Sequence, residues 1–273
     1  MALTKVLITV KTYPTLASKY DELVCTAGFL EDGSWVRIYP IPFRKLDFDK
    51  QYKKYDWIEI DLVKNDSDFR LESYRPYSID DSISIIGHIE THTNWQQRKE
   101  IVLKNVYSNL ASLITEAKND TKYTSLAVFK PTHIIDFIAE PCEREWDKTK
   151  LEKLKAKALQ LNLFEKSDNP FEVVNKLPYK FSFVFTDDNN QQSTLMIEDW
   201  ETGQLYWNCL KKHDGNEAKA CADVRKKYFD DFAKTKDLYF FLGTTRAFHL
   251  MAPNPFIIIG TFHPPKVQQL SLF

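Results

Sequence analysis

The stretch "VCTAGFLEDGSWVRIYPIPFR" (Val24–Arg44) decides the fold class. "LVCTAGFL" (Leu23–Leu30) and "SWVRIYPI" (Ser34–Ile41) are rich in β-branched and aromatic residues. The "EDG" between them, Glu31–Gly33, is a hairpin signal. Side chains alternate along a strand, so Val36 and Ile38 face one way and Trp35, Arg37 and Tyr39 the other. The apolar pair is expected in a core. The Trp-Arg-Tyr row, continued by Arg44 and Lys45, is expected to face outward.

Outward from this hairpin the pattern repeats. "KVLITV" (Lys5–Val10), "DWIEIDLV" (Asp56–Val63) and "SISIIGHIE" (Ser82–Glu90) read as further strands. Between Trp95 and Ala117 the apolar residues Ile101, Val102, Val106, Leu110, Leu113 and Ile114 recur at helical spacing, which predicts one amphipathic helix. "DKTKLEKLKAKALQLNLFEKSD" (Asp147–Asp168) predicts a charged helix or tether. "YKFSFVF" and "STLMIEDW" flank the turn "TDDNN" as a second hairpin, and Cys221, Val224, Tyr228 and Phe232 share one face of a helix near Glu217–Ala233. "DLYFFLG" and "PFIIIGTF" are near-continuous apolar runs that suit strands buried on both faces. The reading is α+β: two small β-rich, OB-like barrel modules joined by a helical region. Its segments are 1–95, a helical region with strands at 96–175, a second β-rich unit with one helix at 176–267, and a tail at 268–273.

Composition bounds the function. In 273 residues, 43% are hydrophobic and 14% aromatic, ample for a buried core. A net charge of −1 gives no global attraction for nucleic acid, so such binding needs a local patch. No run is long and apolar enough to suggest a membrane-spanning helix, and "MALTKVLITVKTYP" reads as a first strand rather than an export signal. The scattered Cys25, Cys142, Cys209 and Cys221 are expected to be free thiols in a reducing cytoplasm.

Two resemblances sharpen this. The tail "QLSLF" (Gln269–Phe273) resembles the consensus peptide by which bacterial replication and repair proteins bind the sliding clamp, and all five positions match. The resemblance implies Gln269 as polar anchor, Leu270, Leu272 and Phe273 as apolar anchors, and Ser271 between them. A related string, "QLNLF" (Gln160–Phe164), makes Gln160, Leu161, Leu163 and Phe164 further candidates, with Asn at the third position; a helix docking leucines into a core would look the same. Val24–Arg44 resembles the opening of bacterial dual-OB-fold domains, which run from a Cys-x-Ala-Gly strand to a Trp-x-Arg strand. That resemblance implies an oligonucleotide-binding barrel in which aromatics stack on bases and arginines meet phosphates. The implied contacts are Trp35, Arg37, Tyr39, Arg44 and Lys45, with Arg70, Tyr74 and Arg75 from "DFRLESYRPY".

Catalytic signals are fewer. In "IEDWE", Asp199 and Glu201 would share one face of a strand and could hold a divalent metal for phosphodiester cleavage, but no lysine follows at nuclease spacing. His88 and His92 of "HIETH", and Cys209, His213 and Cys221, lack zinc-site spacing. No Gly-rich phosphate loop and no Gly-x-Ser-x-Gly elbow occurs. The expectation is a cytoplasmic, non-enzymatic accessory of replication, repair, mobile-element or phage-defence function that needs no cofactor. Its partners are the sliding clamp and DNA; the alternative is a clamp-recruited, metal-dependent nuclease.

Overall fold

The computed structural model describes residues 3–17, 21–78, 83–165 and 173–266. The first unit runs β1 (Leu3–Lys11), β2 (Thr15–Ala17), β3 (Asp21–Phe29), β4 (Trp35–Ile41), β5 (Asp56–Lys64), β6 (Ser73–Pro76) and β7 (Ser84–His88), with two short 3-10 turns at Phe43–Lys45 and Phe48–Lys50. Five of these strands close on themselves in the order β1-β3-β4-β6-β5-β1. All pairings are antiparallel except β4 with β6. Numbered within the barrel, the order is 1-2-3-5-4-1 with strands three and five parallel, which is the OB arrangement. The interior is filled by Val6, Ile8, Val24, Val36, Ile38, Ile58 and Ile60. Gly28 is required where β3 crosses β1: a Cβ there would lie 2.1 Å from the Leu7 carbonyl oxygen.

α1 (His92–Val102), β8 (Val106–Tyr107) and α2 (Leu110–Ala117) follow. The single helix predicted over Trp95–Ala117 is therefore two helices. Val106 and Tyr107 leave the helical path to pair in parallel with Val128 and Phe129.

The second unit has β9 (Leu126–Phe129), β10 (His133–Pro141), α3 (Lys148–Glu165), β11 (Tyr179–Thr186), β12 (Gln192–Met196), α4 (Trp200–Lys212), α5 (Glu217–Arg225) continued by a π-helical stretch Lys226–Ala233, β13 (Tyr239–Thr244) and β14 (Phe256–Phe262). β9 and β10 act as one strand bent at Pro131. β9 pairs with β13, whereas β10 pairs with β11. β11 pairs with β12, β13 with β14, and a parallel bridge between Ile197 and Ile258 joins the two sheets. The OB order 1-2-3-5-4-1 is thus repeated, with α4 and α5 inserted between strands three and four. Phe181, Phe183, Phe185, Leu195, Phe240 and Ile258 fill this barrel, and Val224 and Tyr228 seal it from the helix face read in the sequence. The segment 96–175 contributes β8, β9 and β10 to this second unit.

The barrels pack side to side through a third core. Leu7, Val10, Ala27 and Phe29 from the outer face of the first meet Leu126, Val128, Phe241, Ile259 and Phe262 of the second. Each large side chain buried there contributes about 1.5–3 kcal/mol relative to exposure. This explains why "KVLITV" and "DLYFFLG" are apolar at successive positions: one alternate set fills a barrel and the other fills the interface. Among the described residues no helix is long and apolar enough to cross a membrane.

Candidate nucleic-acid interface

The residues expected on an open sheet face are redistributed by this packing. The outer face of β4 is covered by the second barrel. Trp35 is half-buried, its ring 3.9 Å from Phe29 and 5.6 Å, edge-on, from Phe241. Arg37 is buried and donates to Ser73 Oγ, Ser125 Oγ and the Ser125 and Thr244 carbonyls. Arg70 is buried, ion-paired to Asp68 and bonded to the Thr244 carbonyl. These three are interface residues, not an outward row. The alternation reads correctly, but the second barrel occupies the side that was expected to meet solvent.

Tyr39 stays exposed. Arg44 pairs with Glu22 at 2.9 and 3.0 Å, and Lys45 is exposed. Tyr74 is half-buried under the Lys64 ammonium, and the exposed Arg75 donates to the Pro76 carbonyl. Gln269–Phe273 lies outside the described residues. Gln160–Phe164 falls in the last turns of α3, in the connection between strands one and two of the second barrel; its side chains lie outside the described residues. On the helix stretch Val224–Phe229, Arg225 is paired with Asp136 and Lys227 with Asp231.

A different set of residues converges at the seam between the barrels. Lys11 comes from the end of β1, and Lys53, Lys54 and Tyr55 from the turn before β5. Trp95 and Arg98 come from α1, Trp200, Glu201, Gln204 and Asn208 from successive turns of α4, and His263 from just after β14. They line an open cleft of about 620 Å³. Lys11, Lys53, Lys54 and Arg98 line it together with Glu201, and the buried carboxylate of Asp199 lies beneath Lys54. The wall is aromatic as well as basic. The Arg98 guanidinium lies 3.7 Å over the Tyr55 ring and 5.0 Å from Trp95, and Lys11 sits 4.3 Å over Phe43 and 6.0 Å over Trp200. Trp95 is delivered by an unusual backbone. Thr93, Asn94 and Trp95 are all left-handed, with φ of 51°, 56° and 64°, at roughly 1–2 kcal/mol per residue. Such strain persists where surrounding packing over-determines it, and it concentrates at functional sites.

At the floor lies the acidic pair read as a possible metal site. Asp199 and Glu201 are not on a strand: Asp199 is the residue capping α4 and Glu201 is in its first turn. The lysine missing from the local sequence arrives from the other barrel. Lys54 Nζ is 3.0 Å from Asp199 and 2.9 Å from Glu201. Burial opposes a charge on Lys54, but the two carboxylates outweigh it and hold the ammonium protonated. Burial raises the Asp199 carboxyl above its ordinary value against the pull of Lys54. At Glu201 burial is outweighed by Lys54, which holds the carboxyl down. Burial, with some repulsion from Lys54, lowers Lys11 to about 8. Burial lowers His263 to about 4. In this structure an ammonium bridges the two carboxylates, and among the described residues no three His, Cys, Asp or Glu side chains are grouped to hold an ion. His213 pairs with Asp223 and His88 with Asp56, and His92 is exposed at the start of α1.

The sequence reading passed over Lys53, Lys54, Trp95, Arg98 and Trp200. "KKY" (Lys53–Tyr55) and "WQQR" (Trp95–Arg98) carry the basic–aromatic pattern used elsewhere, but 40 or more residues separate them from each other, and only the packed barrels bring them together.

Comparison with known families gives two matches that divide the chain at the same seam. Residues 106–273 match a domain of unknown function, DUF8757. The chain belongs to the DUF8757 family. Residues 2–104, the first barrel, match a second domain of unknown function, DUF8758. The DUF8757 region therefore holds β8, α2 and the whole second barrel, and the cleft is built jointly by both regions. No curated protein matches the chain. Among solved structures, the chain is similar to the tetrameric p202 HIN2, at 8% identity and a TM-score of 0.30 over 73% of this chain and 71% of that one.

Proposed function

We propose that this protein is a non-enzymatic accessory of DNA transactions that holds a single-stranded segment in the cleft between its barrels and is recruited to the sliding clamp by Gln269–Phe273. The observation that carries the nucleic-acid reading is the cleft: Lys11, Lys53 and Arg98 line it beyond Lys54, which is paired with Asp199 and Glu201, and they are interleaved with Tyr55, Trp95 and Trp200. Single strands are held by this combination, cations along the backbone and aromatic faces under the bases. Lys53 is exposed and positioned for a phosphate. Gln204 and Asn208 supply neutral donors and acceptors along α4. Clamp recruitment is supported by the full five-position match of QLSLF. The motif begins three residues beyond Lys266, and β14 and the Lys236–Pro265 bridge tie the chain before it to the body.

The test has two arms. Anisotropy of a labelled 12-nucleotide single strand should show binding that weakens with salt. Lys53→Ala should lower the magnitude of the salt slope by roughly 0.7, and Trp95→Ala should weaken binding by about 1–3 kcal/mol. No binding at 50 mM salt would defeat the nucleic-acid reading. In calorimetry against purified clamp, the full chain should bind with a micromolar dissociation constant, the range expected of a short peptide. A chain lacking Gln269–Phe273 should not bind; equal binding by both would remove the tail from the proposal.

A further inference from the structure

A second, more enclosed cavity of about 320 Å³ lies between the barrels, over the outer face of β3 and β4. In an OB fold this face and its neighbouring loops ordinarily meet the ligand. Here the second barrel roofs it, which leaves room for one small molecule rather than a strand, at the lower end of the range for ligand sites.

The cavity's polar groups are unevenly satisfied. Arg37 and Arg70 spend their donors on Ser73, Ser125, Asp68 and Thr244. Glu198 projects into the cavity between β12 and α4. Only its backbone is engaged, donating to the Ile258 carbonyl, and its carboxylate has no hydrogen-bond partner among the described residues. Burial raises this carboxyl above its ordinary value. Glu198 is half-buried, and an acceptor-only group at this position suits a ligand that brings N–H donors. Arg246, at the mouth in the β13–β14 loop, is exposed and unpartnered among the described residues. Tyr39 is exposed at the same mouth, 39% accessible, with its ring free to stack. Ile257 and Ile259 give an apolar wall. The lining therefore suits donors at Glu198, a flat apolar body, and an anion at Arg246.

We propose that this cavity binds a guanine nucleotide, the base edge donating N1–H and N2–H to the two oxygens of Glu198, the ring against Tyr39, and the phosphate at Arg246. Among the bases only guanine offers two parallel donors to a carboxylate; adenine and cytosine offer an amino group alone, and uracil or thymine a single imide. The guanine could be a free nucleotide or one base turned out of a strand, since the mouth leaves the phosphate outside. The site is distinct from the cleft at Lys54 and stands or falls separately from it.

The test is calorimetry and thermal shift of the full-length chain with GMP, AMP, CMP and UMP. GMP should bind at least tenfold more tightly than the others. Glu198→Gln should weaken GMP at least tenfold while leaving the melting temperature of the ligand-free protein close to that of the parent, because the position is half-buried. Arg246→Ala, at an exposed position that leaves folding intact, should weaken GMP several-fold and leave guanosine unchanged. Lys53→Ala should leave GMP binding as in the parent chain, which separates this site from the cleft. Competition of GMP against a thymine oligomer with and without one guanine then assigns the source: displacement by the guanine oligomer alone marks a strand base, and no displacement marks the free nucleotide. Absence of GMP binding, equal binding of all four nucleotides, or indifference to Glu198→Gln would overturn the proposal.

Discussion

The ammonium of Lys54, in the first barrel, lies 3.0 Å from the carboxylate of Asp199, in the second, and both side chains are almost completely shut off from water. Asp199 Oδ1, the oxygen at that distance, has no hydrogen-bond partner among the described residues, so the ammonium's charge is the main compensation for its burial. Removing one partner of such a pair leaves a buried charge and costs about 3–5 kcal/mol. Lys54→Met should therefore destabilise the protein by about that amount in urea unfolding. Lys54→Met combined with Asp199→Asn should recover a large part, since the fully buried charge is gone and the remaining Glu201 carboxylate, 55% exposed, can be solvated. A double variant as unstable as the single one would show that packing, not charge compensation, sets the cost.

The same floor gives the protein an acid limb. His263 stacks on Phe232 at a ring separation of 3.6 Å, beside the Lys54 ammonium. Burial first, and Lys54 second, lower its folded value from 6.5 to about 4. Between those pH values the unfolded chain binds a proton that the folded chain refuses. Its stabilising contribution is fully present above pH 6.5 and is lost as the pH falls towards 4. The shift sets an upper figure of roughly 3 kcal/mol. Asp199, raised by burial, has the opposite sign: its folded carboxyl keeps a proton the unfolded chain has lost, so stability falls as the pH rises from 3.8. Comparing the parent with His263→Gln from pH 7 to 4 cancels the Asp199 contribution. The difference in unfolding free energy should narrow with acid, and a pH-independent difference would refute the assignment.

Much of the fold was legible because a barrel strand announces itself locally. The alternation Val36/Ile38 against Trp35/Arg37, the turns at Glu31–Gly33 and Thr186–Asn190, and the period of Val224, Tyr228 and Phe232 all report on neighbours within a few residues. What was illegible is what covers a face. Arg37 looks the same in sequence whether it meets solvent or the Ser125 carbonyl 88 positions away. Lys54 and Asp199 are separated by 145 positions, so a nuclease-like pair with no lysine nearby became an acid–base triad only in three dimensions. The single predicted helix at Trp95–Ala117 failed for a related reason: the apolar spacing is helical, but Val106 and Tyr107 gain a strand partner in β9.

Lys11 provides a pH handle on the cleft. Burial and Lys54 lower its value to about 8, so the free protein loses this cation as the pH rises through 8. Single-strand affinity should accordingly fall between pH 7 and 9. The salt slope should shrink by about 0.7, one backbone contact on a single strand. Lys11→Met should bind more weakly at pH 7 and show a flat profile over this range. A parent profile as flat as that of the variant would place Lys11 outside the contact.

The two Gln-Leu-x-Leu-Phe strings make separable predictions for clamp binding. If only Gln269–Phe273 engages, deleting it should abolish binding, and Leu163→Ala with Phe164→Ala should change nothing. If both engage sites on one multi-site ring, each change alone should leave measurable micromolar binding, because a single short peptide still contacts one pocket. The intact chain should then bind roughly 10²–10⁴-fold more tightly than either, since the second contact is intramolecular. Gln160–Phe164 sits in the strand one to strand two connection of the second barrel, so its engagement would also require α3 to open at its end. Circular dichroism should then show a loss of helix on clamp binding in the parent, absent in Leu163→Ala/Phe164→Ala. Calorimetry of the four chains, parent, tail deletion, inner double variant and the combination, distinguishes the cases. Unchanged affinity across all four would show that neither string meets the ring.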